Sequence, residues 1–86
     1  MIIAVEFTKI TYEEMKYSQT LNLVAGNNVI TTPVTMEPYT VEFIDSEGNK
    51  ISSGLGDPQL TLVGTTYQVT VYSTEALSNV KLKIIY

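Results

Sequence analysis

The sequence contains no cysteine, histidine, arginine or tryptophan. Without cysteine the chain has neither disulfides nor thiol chemistry, and its redox compartment cannot be inferred from cysteine usage. Without histidine it lacks the usual general base at neutral pH, so neither a Ser–His–Asp nor a Cys–His arrangement can be built. Zinc and copper sites require the same two residue types and are excluded with them. The lack of arginine, together with a net charge of −4, argues against nucleic acid and anionic membrane surfaces as partners.

The length of 86 residues is enough for one domain, which we expect to span residues 1–86. A domain of this size has a thin core, so oligomerisation would be a natural source of stability. No apolar run approaches the length of a transmembrane helix. The first residues lack the basic region of a signal peptide, and Glu6 interrupts their apolar stretch, so we expect synthesis in the cytoplasm. A domain excised from a longer secreted protein would have the same appearance.

Thr, Val, Ile and Tyr are abundant, and apolar and polar residues alternate along most of the chain, which is typical of β-strands. We expect strands at residues 2–8, 20–24, 29–32, 39–45, 50–52, from 60 onwards, 67–72 and 80–86. Seven or eight short strands predict an all-β fold, a single small antiparallel β-sandwich of immunoglobulin-like or jelly-roll-like type.

The connections carry recognisable turn chemistry. Residues 11–17 are the one helix-like segment, where Thr11 and Glu14 fit a capping box, and they predict a single helical turn. Residues 25–28 predict a turn, and the prolines at 33 and 38 bracket a loop. Residues 45–49 predict a hairpin turn closed by Gly48 in the left-handed conformation, and residues 52–58 a flexible loop.

Strand alternation also predicts which residues face the core. The inward set is Leu21, Leu23, Tyr39, Val41, Phe43, Tyr67, Val69, Val71, Val80, Leu82 and Ile84. The same alternation places six apolar residues on the outside: Val24, Ile30, Ile44, Val63, Tyr72 and Ile85. Because such residues recur over several strands, and both chain ends are apolar and strand-like, we interpret them as a candidate interface. The alternative is that both ends pair within the domain.

Carboxylates are the remaining source of catalysis. Glu13 and Glu14 are adjacent, so their side chains diverge and cannot easily flank one bond. The other strand and loop glutamates read as isolated surface charges: Glu37, Glu42 and Glu75. We therefore expect no catalytic residue, no cofactor site and no metal site.

Two short motifs have both a functional and a structural interpretation. Asp45, Glu47 and Asn49 vaguely suggest calcium ligands, but the distant bidentate glutamate of an EF-hand is missing and a hairpin turn has the same composition. Residues 54–56 form a lone Gly-x-Gly without a strand-to-helix transition, which favours a loop over a phosphate cradle.

The six tyrosines could provide a sugar-stacking platform or a protein interface. Tyr39, Tyr67 and Tyr86 fall on inward positions and are expected in the core. Tyr12, Tyr17 and Tyr72 are the three that are free to be exposed.

Residues 23–32 (LVAGNNVITT), 38–49 (PYTVEFIDSEGN) and 80–84 (VKLKI) together resemble small β-sandwich modules of bacteriophage tail, tail-fibre and head-decoration proteins. Thr31 and Thr32 stand where such modules often carry histidine. The resemblance covers about half of the chain and implies a structural role without transferable functional residues.

Surface and resemblance together predict a non-enzymatic virion structural protein, a capsid decoration or tail component that contacts itself or other virion proteins and resides in the virion. The alternative is a carbohydrate-binding or adhesin-type β-sandwich, an extracellular module with Tyr12, Tyr17 or Tyr72 as stacking residues. An enzyme is a third hypothesis, and a deep pocket lined by two carboxylates would support it.

Overall fold

The computed structural model of the chain describes residues 15–86. Six strands form its regular structure: β1 (Lys16–Leu23), β2 (Gly26–Thr31), β3 (Thr40–Ile44), β4 (Gln59–Val63), β5 (Thr66–Ser73) and β6 (Leu77–Ile85). No helix occurs among residues 15–86. The predicted all-β class is confirmed for this part of the chain.

The strands form two three-stranded sheets, one in the order β1-β6-β3 and the other in the order β2-β5-β4. Every strand pair is antiparallel. The central strand of each sheet, β6 or β5, therefore has strand partners on both sides, and the other four strands lie at edges among residues 15–86.

The core is built from the inward side of both sheets. Residues opposite one another in an antiparallel pair face the same side, and successive residues face opposite sides. The buried apolar side chains of both sheets and of the β2–β3 loop belong to one cluster: Leu23, Ile30, Val34, Phe43, Val69, Val71, Val80, Leu82 and Ile84. The predicted inward placement is confirmed for Leu23, Phe43 and all five residues from β5 and β6 in this cluster.

A buried asparagine organises the connection between β1 and β2. The Asn28 side-chain oxygen accepts the Val24 N–H at 2.8 Å, and its Nδ2 donates to the carbonyls of Val24 and Gly26 at 3.0 and 3.1 Å. A longer contact, 3.4 Å, joins Nδ2 to the Val71 carbonyl on β5. Gly26 has φ +106°, which favours glycine. One amide thus satisfies the backbone of the turn and links it to the central strand.

The turn predicted at residues 45–49 is confirmed. Asp45 and Asn49 close it through a backbone hydrogen bond of 2.8 Å, and Gly48 has φ +89°. Asp45 Oδ1 accepts the N–H groups of Glu47 and Asn49, both at 2.9 Å. The returning strand expected at residues 50–52 is reduced to one bridge between Ile44 and Lys50 and one further backbone bond.

The hairpin between β4 and β5 has a two-residue turn, Gly64-Thr65, with Val63 opposite Thr66. Gly64 has φ +67°, and Thr65 is not in the positive-φ region, which matches a type II′ turn. Further down the hairpin, Leu55 lies opposite Ser73 and Gln59 opposite Thr70. Three residues separate Leu55 from Gln59, whereas two separate Thr70 from Ser73. The one extra residue on the first segment forms a bulge at Asp57-Pro58.

Several element boundaries differ from those expected. Residues 15–17 are not helical, because Lys16 already pairs with Ile85 of β6. The helical expectation is therefore wrong there. Its remaining part, residues 11–14, and the strand expected at 2–8 lie outside the described residues. The strand expected at 20–24 begins at Lys16, and the one expected at 29–32 begins at Gly26.

We expect the Asn28→Ala substitution to lower the free energy of unfolding by about 1–3 kcal/mol, because the Val24 N–H and carbonyl lose a partner that water replaces poorly. The matched control is Asn27→Ala, at the exposed neighbouring position, where a change within about 0.5 kcal/mol is expected. Denaturant unfolding monitored by circular dichroism measures both. Equal effects would contradict this role.

We expect Val69→Ala, at the fully buried centre of β5, to cost about 2–3 kcal/mol from lost burial and the cavity left behind. Val29→Ala on the adjacent strand removes the same atoms from an exposed site and should cost less than about 1 kcal/mol. Midpoints of guanidinium unfolding compare the two variants. A larger loss for the Val29 variant would mean that the inward and outward sides of this sheet are reversed.

Candidate interaction surface

The outer side of the β2-β5-β4 sheet is free of charge. Because Ile30 pairs with Val69 on the buried side, the neighbouring pair Val29–Thr70 faces outwards, and the alternation extends this across the sheet. The outward residues, here called the neutral face, are Asn27, Val29, Thr31, Gln59, Thr61, Val63, Thr66, Gln68, Thr70 and Tyr72. None is acidic or basic, and depletion of charged residues is one feature of the centre of protein interfaces.

The outer side of the β1-β6-β3 sheet differs sharply. Lys16, Lys81 and Lys83 all face outwards there. Lys50 joins them at the edge, with its Nζ 4.0 Å from the Glu42 carboxylate. All four lysines among residues 15–86 therefore lie on this side, here called the lysine face. Their one carboxylate neighbour on a strand is Glu42.

The six apolar residues predicted to face outwards have three different outcomes. Val24, Val63 and Tyr72 are exposed. Ile44 and Ile85 face outwards on the lysine face but are half-buried. Ile30 is only 7% exposed and belongs to the core. The outward prediction for Ile30 is wrong, because β2 directs Val29, the residue before it, towards solvent and Ile30 towards the core.

These residues do not form one patch. Val63 pairs with Thr66, six residues along β5 from Tyr72, so they lie about 20 Å apart at opposite ends of the neutral face. Ile44 and Ile85 belong to the other sheet, and Val24 to the β1–β2 turn. The apolar exterior is therefore distributed over both sheets.

Strand β4 contains two exposed residues that the sequence analysis did not assign to any surface. Leu60 and Leu62 lie opposite Val69 and Tyr67, on the core side of the sheet. They are nevertheless 40% and 55% exposed. Within the described part of the chain, the opposite sheet does not cover this end. No local signal reveals this, because the alternation Leu-Thr-Leu is the same as that of a half-buried strand.

The tyrosines are distributed differently from the expectation. Tyr39 is 84% exposed, so its predicted core position is wrong. It precedes the first paired residue of β3 and donates its N–H to the Ile85 carbonyl at 2.6 Å, near the end of β6. Tyr17, expected to be exposed, packs against the core, and its hydroxyl donates to Gln19 Oε1 at 2.6 Å. Tyr86 packs against the core as expected, whereas Tyr12 lies outside the described residues.

A groove of about 240 Å³ near β3 contains two carboxylates, Glu42 and Asp57. Asp57 is exposed, and the Glu42 side chain is one-third exposed and faces Lys50. Neither is removed from water, as a carboxylic general acid at neutral pH requires. Residues 54–56, expected as a flexible loop, instead pair with the end of β5.

Across residues 15–86, no three acidic, histidine or cysteine side chains are grouped closely enough to hold a metal ion. The same part of the chain contains no helix long and apolar enough to cross a membrane. No family model, curated protein or solved structure matches this chain.

The accessibility of the tyrosines provides a direct check of these surfaces. Brief treatment of the dilute protein with tetranitromethane should nitrate Tyr39 first and Tyr72 next, and both faster than Tyr17, because nitration requires the ring to reach solvent. Peptide mass spectrometry over a time course measures the order. Nitration of Tyr17 before Tyr39 would contradict the described placement of the two rings.

Proposed function

We propose that this chain is a non-enzymatic structural protein of a bacteriophage virion, a capsid decoration or tail component that acts through protein–protein contacts. We further propose that its two sheets form an antiparallel β-sandwich of immunoglobulin-like or jelly-roll-like type. The single apolar cluster shared by both sheets supports the sandwich.

The observation that supports assembly best is the neutral face. Ten outward residues on three strands include no acid or base, in a chain with a net charge of −4. Surfaces exposed permanently to water usually carry interspersed charges, whereas interface centres are depleted of them. The exposed Val29, Val63 and Tyr72 add apolar and aromatic contact area to this face.

The segments that resemble phage virion modules have coherent places in the fold. Residues 23–32 contain the Asn28-bonded turn and all of β2, and residues 38–49 contain β3 with its closing turn. Residues 80–84 lie within β6. These segments form strands and turns of the fold, in keeping with a structural role. The residues proposed to contact partners lie on the outer surfaces.

The open groove near β3 gives little support to the enzyme hypothesis. Its two carboxylates are accessible to water, and the nearby Lys50 provides a charge partner for one of them. A hydrolytic pair requires one carboxyl in an environment that keeps it protonated and the other ionised.

The test is detection of the chain in mature particles. Phage particles banded on a density gradient, from a culture whose DNA encodes this chain, should contain its peptides in amounts comparable to those of known structural proteins. Quantitative mass spectrometry measures this, and a non-structural phage enzyme serves as the negative control. Peptides that are abundant in the lysate and missing from intact particles would overturn the proposal.

The second candidate is a carbohydrate-binding module, which the neighbourhood of Tyr72 favours. Tyr72 is exposed on the neutral face and lies opposite Asn27, so an aromatic ring and an amide stand side by side on a flat surface. Under this alternative, a glycan array should give signals that Tyr72→Ala removes and Tyr39→Ala retains. Silence of the wild-type protein on the array would reject it.

A further inference from the structure

We propose that strand β4 is a self-pairing site, at which a second copy of this chain adds its own β4 antiparallel about a two-fold axis. The two β2-β5-β4 sheets would then form one continuous six-stranded sheet. This inference deepens the proposed function by naming a second copy of the chain as one partner of its protein–protein contacts. It rests on the proposed function only in that respect, since a protein of another role could pair in the same way.

The exposure of β4 identifies it as the unusual strand. Among the six strands, β4 alone has every residue exposed, on both sides of the sheet. Its partner is β5, and no other strand among residues 15–86 pairs with its opposite edge. Proteins usually protect such edges with charges, prolines or bulges. Residues 59–63 contain no charge and no proline, and their register with β5 is continuous.

The backbone of β4 presents hydrogen-bonding groups at this edge. In a two-residue hairpin, the residues next to the turn exchange backbone hydrogen bonds, and bonded and non-bonded pairs then alternate along the strands. Val63, Thr61 and Gln59 therefore direct their backbone groups towards β5. Leu60 and Leu62 direct their N–H and C=O groups outwards, where a second strand can bind them.

The sequence of β4 is suited to pairing with itself. In an antiparallel register centred on Thr61, Leu60 lies opposite Leu62 of the second copy, and Leu62 opposite its Leu60. Four leucines then meet on the core side, where each copy leaves its own two uncovered. Thr61 faces its counterpart on the neutral face, and cross-strand aliphatic and Thr–Thr pairs are both favourable.

Charge and length also favour a second copy as the occupant. Two chains of net charge −4 can join along β4 without placing one charged strand residue against another. The lysine face, by contrast, would meet itself with like charges. Pro58 at one end and the turn at Gly64 at the other limit the pairing to five residues. The contact closes as a dimer because the two-fold axis joins the same strand of both copies.

The test is sedimentation velocity of the full chain over a concentration series. We expect a reversible dimer, and we expect Thr61→Lys to weaken it at least about tenfold, because two ammonium groups would then stand opposite one another at the axis. The matched control is Thr31→Lys, an exposed threonine on the same neutral face at the opposite edge, which should leave the dimer unchanged. Mixing Thr61→Lys with Thr61→Glu should restore dimers.

A cysteine cross-link provides a second, independent readout. The chain has no cysteine, so Thr61→Cys introduces a single thiol at the proposed axis. The alternation places residue 61 in a non-bonded pair, with Cα atoms about 4.5 Å apart, within reach of a disulfide. Mild oxidation should give a covalent dimer, and Thr31→Cys should give little under the same conditions.

Two results would overturn the inference. One is a wild-type chain that stays monomeric at all concentrations, as it would if another segment covered β4. The other is a dimer that Thr61→Lys does not weaken and Thr61→Cys does not trap, which would place the contact elsewhere. Neither result bears on whether the chain is found in virions, so the proposed function succeeds or fails separately by the particle analysis.

Discussion

The burial of alternate residues on β5 and β6, the central strands of the two sheets, is the constraint on which the rest of the structure depends. Val69 and Val71 of β5 and Val80, Leu82 and Ile84 of β6 are almost completely buried. The register is regular along β5 and from Val80 onwards in β6, so a one-residue slip there would expose these side chains and bury threonines or lysines. Their burial therefore sets the register of the edge strands and decides which sides become the neutral and lysine faces.

The same dependence explains which parts of the fold could be predicted from sequence. Apolar and polar residues alternate clearly along β5 and β6, because each of these central strands has one side packed in the core and one side towards solvent. In β2 the alternation misleads, since the buried position before Ile30 belongs to Asn28, whose amide bonds the turn. The start of β1 was obscured by Thr11 and Glu14, which resemble a capping box, and by too few apolar residues to indicate a strand. Tertiary pairing with β6 outweighs that local preference.

The candidate surface was predictable only in part, for a physical reason. Val24, Val63 and Tyr72 are exposed as expected, because their strand or turn position alone determines their direction. The exposure of Leu60, Leu62 and Tyr39 depends instead on which other segments pack against them, which a one-dimensional pattern does not encode. The lack of charge on one side of β2, β4 and β5 likewise becomes visible only when the sheet order is known, because β2 is distant from the other two strands in sequence.

The clustering of the described lysines on one side makes the charge distribution of the molecule asymmetric. Five of the six carboxylates among residues 15–86 lie in loops and turns, while the lysines share a sheet surface. Within residues 15–86, a chain with an overall negative charge thus has one sheet surface on which four lysines accompany a single strand carboxylate, Glu42. In low salt, the electric field of an acidic scaffold would orient the approaching molecule with the lysine face towards the scaffold, before any short-range contact forms. If the neutral face is the docking surface, as proposed, approach and final docking would be governed by different sides of the same small protein.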